Sequence, residues 1–272
     1  LAGLSLTAEE YDLPAIYEQI DDAIDHSPEY VADYERQIED KRLQYVKATA
    51  PEEKYQLAFE LYERYNAFMN DSALYYIDEA EQWAIRQNQW DRAGNCRVLR
   101  AFQCSTVGYY SEALAFLKTV NKNQLDSIGL KNYYMTQMHV YGELGYYSKI
   151  RSMQEQYFKL QTTYRDSLFA QMDHQDPDYL MYRIQELKAH QQLEEGRRLS
   201  DQWVRNTSPD SRDYAIACYY RWLVSEDQDE MRYWLSQSAL SDVRHAVMDQ
   251  ASLLQLADLL NGEGALERSY KY

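Results

Sequence analysis

An all-α fold is predicted for this chain: antiparallel helix pairs stacked into a right-handed superhelix, an α-solenoid. Three observations predict it. The 272 residues include only nine Gly and five Pro, too few for the tight turns that many short strands need. The phrase Gly-Tyr-Tyr-Ser occurs at 108–111 and again at 145–148, 37 residues apart, each copy flanked by amphipathic helical patterns. Small or apolar residues recur at Ala73, Ala113, Ile150, Gly196, Met231 and Ser269, which is the pattern of a helical repeat whose neighbours bury each other's apolar faces.

Taken in order, Thr7 with Glu10 forms a capping box for a first helix running to about His26. His26-Ser27-Pro28 breaks it, because a residue before proline is pushed out of helical geometry. A second helix from about Pro28 carries Val31, Tyr34, Ile38, Tyr45 and Val46 on one side. Residues 1–50 are therefore expected to be N-terminal helices packing on the first repeat. Pro51 opens the next helix in its favoured first-turn position, and 51–272 reads as about six irregular repeats. Asp71-Ser72, Asp126-Ser127 and Asp166-Ser167 each carry the residue types that satisfy free amides at a helix start. The longest repeat interval, 46 residues, contains Thr162 to Pro177, where an inserted turn or short helix is expected. The last repeat, whose second helix opens at Gly264 and stops at Tyr272, is expected to be truncated. Behind Gly108, the run Glu112-Ala113-Leu114-Ala115-Phe116-Leu117 resembles the second helix of a tetratricopeptide (TPR) unit, so the pairs are read as TPR-like.

Charge and motif content narrow the function classes. A formal net charge of −16 repels phosphate backbones, and no extended Lys/Arg cluster offsets it, so nucleic acid is not an expected partner of this segment. No apolar run is long enough to span a membrane, so membrane contact is expected only through a segment outside this chain. Cys96, Cys104 and Cys218 form no CxxC pair, and Cys96 and Cys104 fall on one helix too far apart for a disulfide. The five His include no pair at four-residue spacing, and Asp173-His174-Gln175-Asp176 is a weak donor set. Neither a phosphate-binding loop nor a nucleophile elbow occurs. The chain is therefore read as not an enzyme, with no cofactor and no metal. Trp83, Trp90, Trp203, Trp222, Trp234 and most of the 27 Tyr read as packing residues.

A binding surface remains. In repeat register the first helices line up one column of Tyr62, Phe102, His139, Gln185 and Tyr220, and a second of Tyr55, Asn95, Asn132, Asp178 and Asp213. Aromatic, amide and acidic groups in a concave groove suit a protein or peptide, or a glycan stacked on rings.

Several phrases resemble a family of Bacteroidetes membrane-anchored regulators that carry TPR units before a C-terminal domain of unknown function. They are Tyr34-Glu35-Arg36-Gln37-Ile38, Asp71-Ser72-Ala73-Leu74-Tyr75-Tyr76, Tyr164-Arg165-Asp166-Ser167-Leu168, and Asp242-Val243-Arg244-His245-Ala246-Val247 leading into Ala251-Ser252-Leu253-Leu254. The resemblance implies a periplasmic sensor region, followed by a membrane helix and a cytoplasmic domain that regulates transcription. Consistent with it, the chain starts at Leu1 rather than Met and stops inside a repeat, so it is expected to be part of a longer polypeptide. The Asp-Ser-aliphatic triplets also resemble the O-glycosylation acceptor of exported proteins in that phylum. The residues leave three alternatives open: a free-standing TPR adaptor, a periplasmic glycan-binding module and a homodimer.

Overall fold

The computed structural model describes residues 11–247, 251–262 and 264–272. Among these residues there are fourteen α-helices and no strand, which is the predicted class. Helices α1 (Leu13–Asp25) and α2 (Ser27–Lys47) come first. Six antiparallel pairs follow: α3 (Pro51–Tyr65) with α4 (Asn70–Arg86), α5 (Trp90–Thr106) with α6 (Tyr110–Lys118), and α7 (Ser127–Tyr147) with α8 (Arg151–Phe169). The remaining three are α9 (Pro177–Ala189) with α10 (Leu193–Asn206), α11 (Asp213–Leu223) with α12 (Gln228–Arg244), and α13 (Ala251–Gly262) with α14 (Leu266–Lys271).

The turns show how the sequence imposes this pattern. Gly108, Gln191 and Gly264 each sit at the middle of the loop joining the helices of a pair, and Asn88 sits between two pairs; all four have φ between +58° and +86°. The following amide in each case reaches back five residues: Tyr109 N to Cys104 O at 2.9 Å, Gln192 N to Leu187 O at 2.8 Å, Gln89 N to Ala84 O at 3.0 Å and Ala265 N to Leu260 O at 3.0 Å. That is the bonding of a left-handed helix cap, which satisfies carbonyls left over at the helix end and reverses the chain.

The second Gly-Tyr-Tyr-Ser phrase departs from this. Gly145 lies inside α7, where a Cβ would come within 2.7 Å of the Phe158 ring of α8. The glycine thus serves close helix approach in one copy and a left-handed turn in the other. One consequence is a register correction. Ala73, Ala113, Gly196, Met231 and Ser269 each occupy the fourth position of the second helix of their pair, whereas Ile150 is the residue before α8 and Gln154 holds the equivalent place. No separate short helix occurs within 162–177: α8 continues to Phe169, and a turn then leads to α9, capped by Asp176. The additional residues of the third pair lengthen α7 to 21 and α8 to 19 residues.

Of the three Asp-Ser pairs, only Asp126 caps a helix, its Oδ1 accepting from Gly129 N at 2.7 Å. Asp71 and Ser72 already lie within α4, and Ser167 sits in α8 with its hydroxyl donating to Thr163 O at 2.9 Å. The capping box of Thr7 and Glu10 lies outside the described residues; α1 is capped by Asp12, whose Oδ1 accepts from Ala15 N at 3.1 Å.

The chain forms two compact units. A central unit comprises Arg36–Asp173, and a terminal unit comprises the residues up to Glu35 together with His174–Tyr272. In the central unit, Val98, Ala101, Cys104, Ala113, Leu117, Tyr133 and Val140 form a core shared by α5, α6 and α7. From Arg36 onward α2 packs on the first pair here, with Lys41 bonded to Glu60 at 2.5 Å and Trp83 Nε1 donating to Tyr45 Oη at 3.2 Å. Glu81, only 3% exposed, is held by Arg97 at 2.5 Å and by Arg100, which also meets Asp78.

In the terminal unit the pairs α9/α10 and α11/α12 bury Leu180, Ile184, Trp203, Val204, Cys218 and Val224. Helix α1 packs in this unit, against α12, and not on the first repeat as expected for residues 1–50. Ile16, Tyr17, Ile20 and Ala23 close a core with Leu235, Ala239, Leu253, Leu256 and Leu260. Periodicity identifies an apolar helix face without naming its partner. Here the partner is the stripe on α12 and α13 that the preceding pairs leave uncovered. Ion pairs between Asp21 and Arg268 at 3.2 Å and between Asp25 and Lys271 at 3.2 Å tie α1 to α14 as well.

Candidate functional site

Stacking places equal positions of successive first helices side by side. In the central unit, Tyr55 and Tyr62 of α3, Asn95 and Phe102 of α5 and Asn132 of α7 line one cavity of about 520 Å³. Four of the seven predicted site residues thus meet in one groove. Asn132 Nδ2 donates to Asn95 Oδ1 at 2.9 Å, an amide pair bridging two repeats. One lone pair of Asn95 Oδ1 and one hydrogen of Asn132 Nδ2 remain for a further hydrogen bond.

An aromatic run forms one wall: Phe59 lies 6.0 Å from both Tyr55 and Tyr62, ring centre to ring centre. Burial pushes the Tyr62 and Tyr55 hydroxyls far above the usual tyrosine range, so both stay protonated. The lining includes one cation, Arg92, which is already engaged. Its guanidinium lies 4.8 Å over the Tyr55 ring and bonds both Glu52 carboxylate oxygens, at 2.7 and 2.9 Å. Glu63, Asp91 and Asp126 add carboxylates, so the groove is acidic. Sequence register alone did not reveal Phe59, Glu63 or Arg92; the four-residue spacing of Phe59 from Tyr55, and of Glu63 from Phe59, is the signal that could have found the first two.

Burial, then the charge of Glu60, raises the Glu63 carboxyl pKa. The folded chain therefore gives up this proton less readily than the unfolded chain. Above the ordinary carboxylate range this works against folding, and below it the effect disappears. Glu63→Gln is expected to raise the thermal unfolding midpoint at pH 7 and to leave it unchanged near pH 3. Equal midpoints at pH 7 would contradict this assignment.

His139 stands beside the groove, not in its lining. Its ring is 5.3 Å from Phe102, and it lines a second cavity with Gly108, Tyr110, Glu143 and Tyr147. Burial lowers its pKa, with Glu143 opposing, which leaves the imidazole neutral at pH 7. Gln185 and Tyr220 belong to the terminal unit, where they bond each other, Gln185 Nε2 donating to Tyr220 Oη at 2.7 Å. Tyr220 also stacks on Trp203 at 5.7 Å, and burial pushes its hydroxyl up to about 12.

Among the described residues, no cluster of three His, Cys, Asp or Glu could hold a metal, and no helix is long and apolar enough to cross a membrane. His174 of the polar turn stacks on Tyr179 at 4.6 Å. Burial pushes the Cys96 and Cys218 thiols up to about 12, far from a reactive thiolate at neutral pH.

Comparison with known proteins gives one family. The family model described as the SusR N-terminal TPR domain matches residues 24–272. No curated protein matches the chain.

Proposed function

The chain belongs to the SusR N-terminal TPR domain family, and from that premise we propose that it is the protein-binding input region of a membrane-anchored transcriptional regulator, exposed to the periplasm. The observation that supports this reading is the acidic groove of the central unit. Its amide pair, Asn95 with Asn132, presents a donor and an acceptor side by side, 2.9 Å apart, a suitable match for the backbone of an extended peptide. Glycan binding is favoured less, because a sugar stacks on an open ring face, whereas Tyr55 and Tyr62 are only 7% and 4% exposed. TPR domains are non-catalytic repeat scaffolds, and occupancy of the groove, not turnover, is the signal in this reading.

Selection of displayed random peptides on the chain tests it. The enriched peptides should bind the Asn95→Ala/Asn132→Ala chain about tenfold more weakly, the cost of losing a pair of hydrogen bonds in a partly desolvated site. Peptides that bind both chains equally would remove the groove from the function. In cells, a protease confined to the periplasm should cleave this region of the full-length protein; complete protection would contradict the location.

A further inference from the structure

We propose that the cavity between α5, α6 and α7 is a pocket for the cationic side chain, lysine or arginine, of the peptide that occupies the neighbouring groove. The inference rests on the groove reading and adds to it the charge of the ligand.

The two copies of Gly-Tyr-Tyr-Ser converge here. The third residue of the first copy is Tyr110, the third of the second is Tyr147, and both line the same cavity of about 650 Å³. A repeated phrase has thereby put two aromatic rings at one place although its two glycines do different jobs. Between them stands Glu143, whose carboxylate accepts from Tyr110 Oη at 3.3 Å and has no ion-pair partner among the described residues. His139, one helical turn before Glu143, contributes an Nε2 that is buried without a hydrogen-bond partner. The named lining contains no Lys or Arg.

Each of these features suits an organic cation. Two tyrosine rings attract it through their electron-rich faces, and a carboxylate adds a charge-assisted hydrogen bond. Because burial keeps the imidazole neutral, His139 does not repel a cation. Position supports the same ligand: the Phe102 ring, which lines the groove, lies 5.3 Å from His139, so the two cavities are neighbours across one side chain. A peptide lying along Asn95 and Asn132 could extend a long side chain past Phe102 to Glu143.

The test uses small probes on the whole 272-residue chain, so that it does not depend on knowing the peptide. Acetyl-lysinamide and acetyl-argininamide are titrated against acetyl-norleucinamide and tetramethylammonium, with NMR signals of the His139 ring and the Tyr110 and Glu143 amides as the readout. A saturable shift with one or both cationic amino-acid probes, weakened about fivefold by Glu143→Gln and absent with norleucinamide, supports the pocket. The exposed Tyr147→Ala gives a second variant should Glu143→Gln fail to fold. The proposal is overturned by any of four results: no saturable shift, a shift indifferent to both variants, equal binding of norleucinamide, or binding of tetramethylammonium alone. Asn95→Ala separates this outcome from the groove reading, since it should weaken displayed peptides yet leave the acetyl-lysinamide shifts as they are.

Discussion

Arg221→Met is expected to destabilise the terminal unit by about 3–5 kcal/mol, the cost of removing one partner from a buried ionic cluster. The Arg221 side chain is 6% exposed and joins three helices. Nε donates to Asp201 of α10 at 2.5 Å, another nitrogen meets Glu230 of α12, and a third donates to Ser225 Oγ at 2.9 Å. The guanidinium also lies 5.5 Å from the Trp234 ring. Methionine keeps most of the volume but leaves Asp201 and Glu230 facing each other uncompensated, with Glu230 only 12% exposed. Adding Asp201→Asn and Glu230→Gln should recover part of the loss, because neutral amides do not repel. Denaturant unfolding followed by fluorescence is a suitable measurement, since Trp203, Trp222 and Trp234 all lie in this unit. A loss below about 1 kcal/mol, the range of an exposed pair, would show that solvent already screens the cluster.

Ile20→Ala should cost a further large amount, about 2–5 kcal/mol. Ile20 is fully buried, and its neighbours Leu235, Ala239 and Leu256 lie on α12 and α13. The cavity would be bounded by two regions distant in sequence, so hydrogen exchange should quicken in α1 and α12 together. The central unit, Arg36–Asp173, should keep its protection. Faster exchange confined to α1 would mean that the helix is an appendage, not part of the core.

Much of the repeat was legible because it depends on local chemistry. Six helix pairs follow from small residues at a fixed helical position, and in five of six pairs the assigned residue holds that position. The exception, Ile150, arose because identical letters served two geometries: Gly108 turns the chain with φ +86°, while Gly145 accommodates the Phe158 ring. Conformation at a glycine depends on what approaches it, which local sequence does not record. Asp-Ser pairs misled for a related reason. Asp126 caps, but Ser167 bonds its own helix at Thr163, an alternative always available to a hydroxyl.

The groove was partly legible. Tyr62, Asn95, Phe102 and Asn132 come together because stacked first helices repeat the same azimuth, a rule that periodicity captures. His139 lines the next cavity, and Tyr220 is bonded to Gln185 in a different unit. Least legible was the partner of α1, since amphipathicity fixes which face is buried but not the surface that covers it.

That partner has a consequence for synthesis. Ile20 and Leu235 are 215 residues apart, against the 37 that separate the paired amides Asn95 and Asn132. By loop-closure entropy alone the longer closure costs about 1.5 kcal/mol more. At the usual pace of translation, roughly 10–40 s pass between emergence of α1 and emergence of the helices that cover it. Throughout that interval Ile16, Tyr17 and Ile20 lack their partners on the nascent polypeptide, and the central unit has all its own residues before those partners emerge. Helix α1 is thus made long before it can be buried, and a chaperone would meet it in the open.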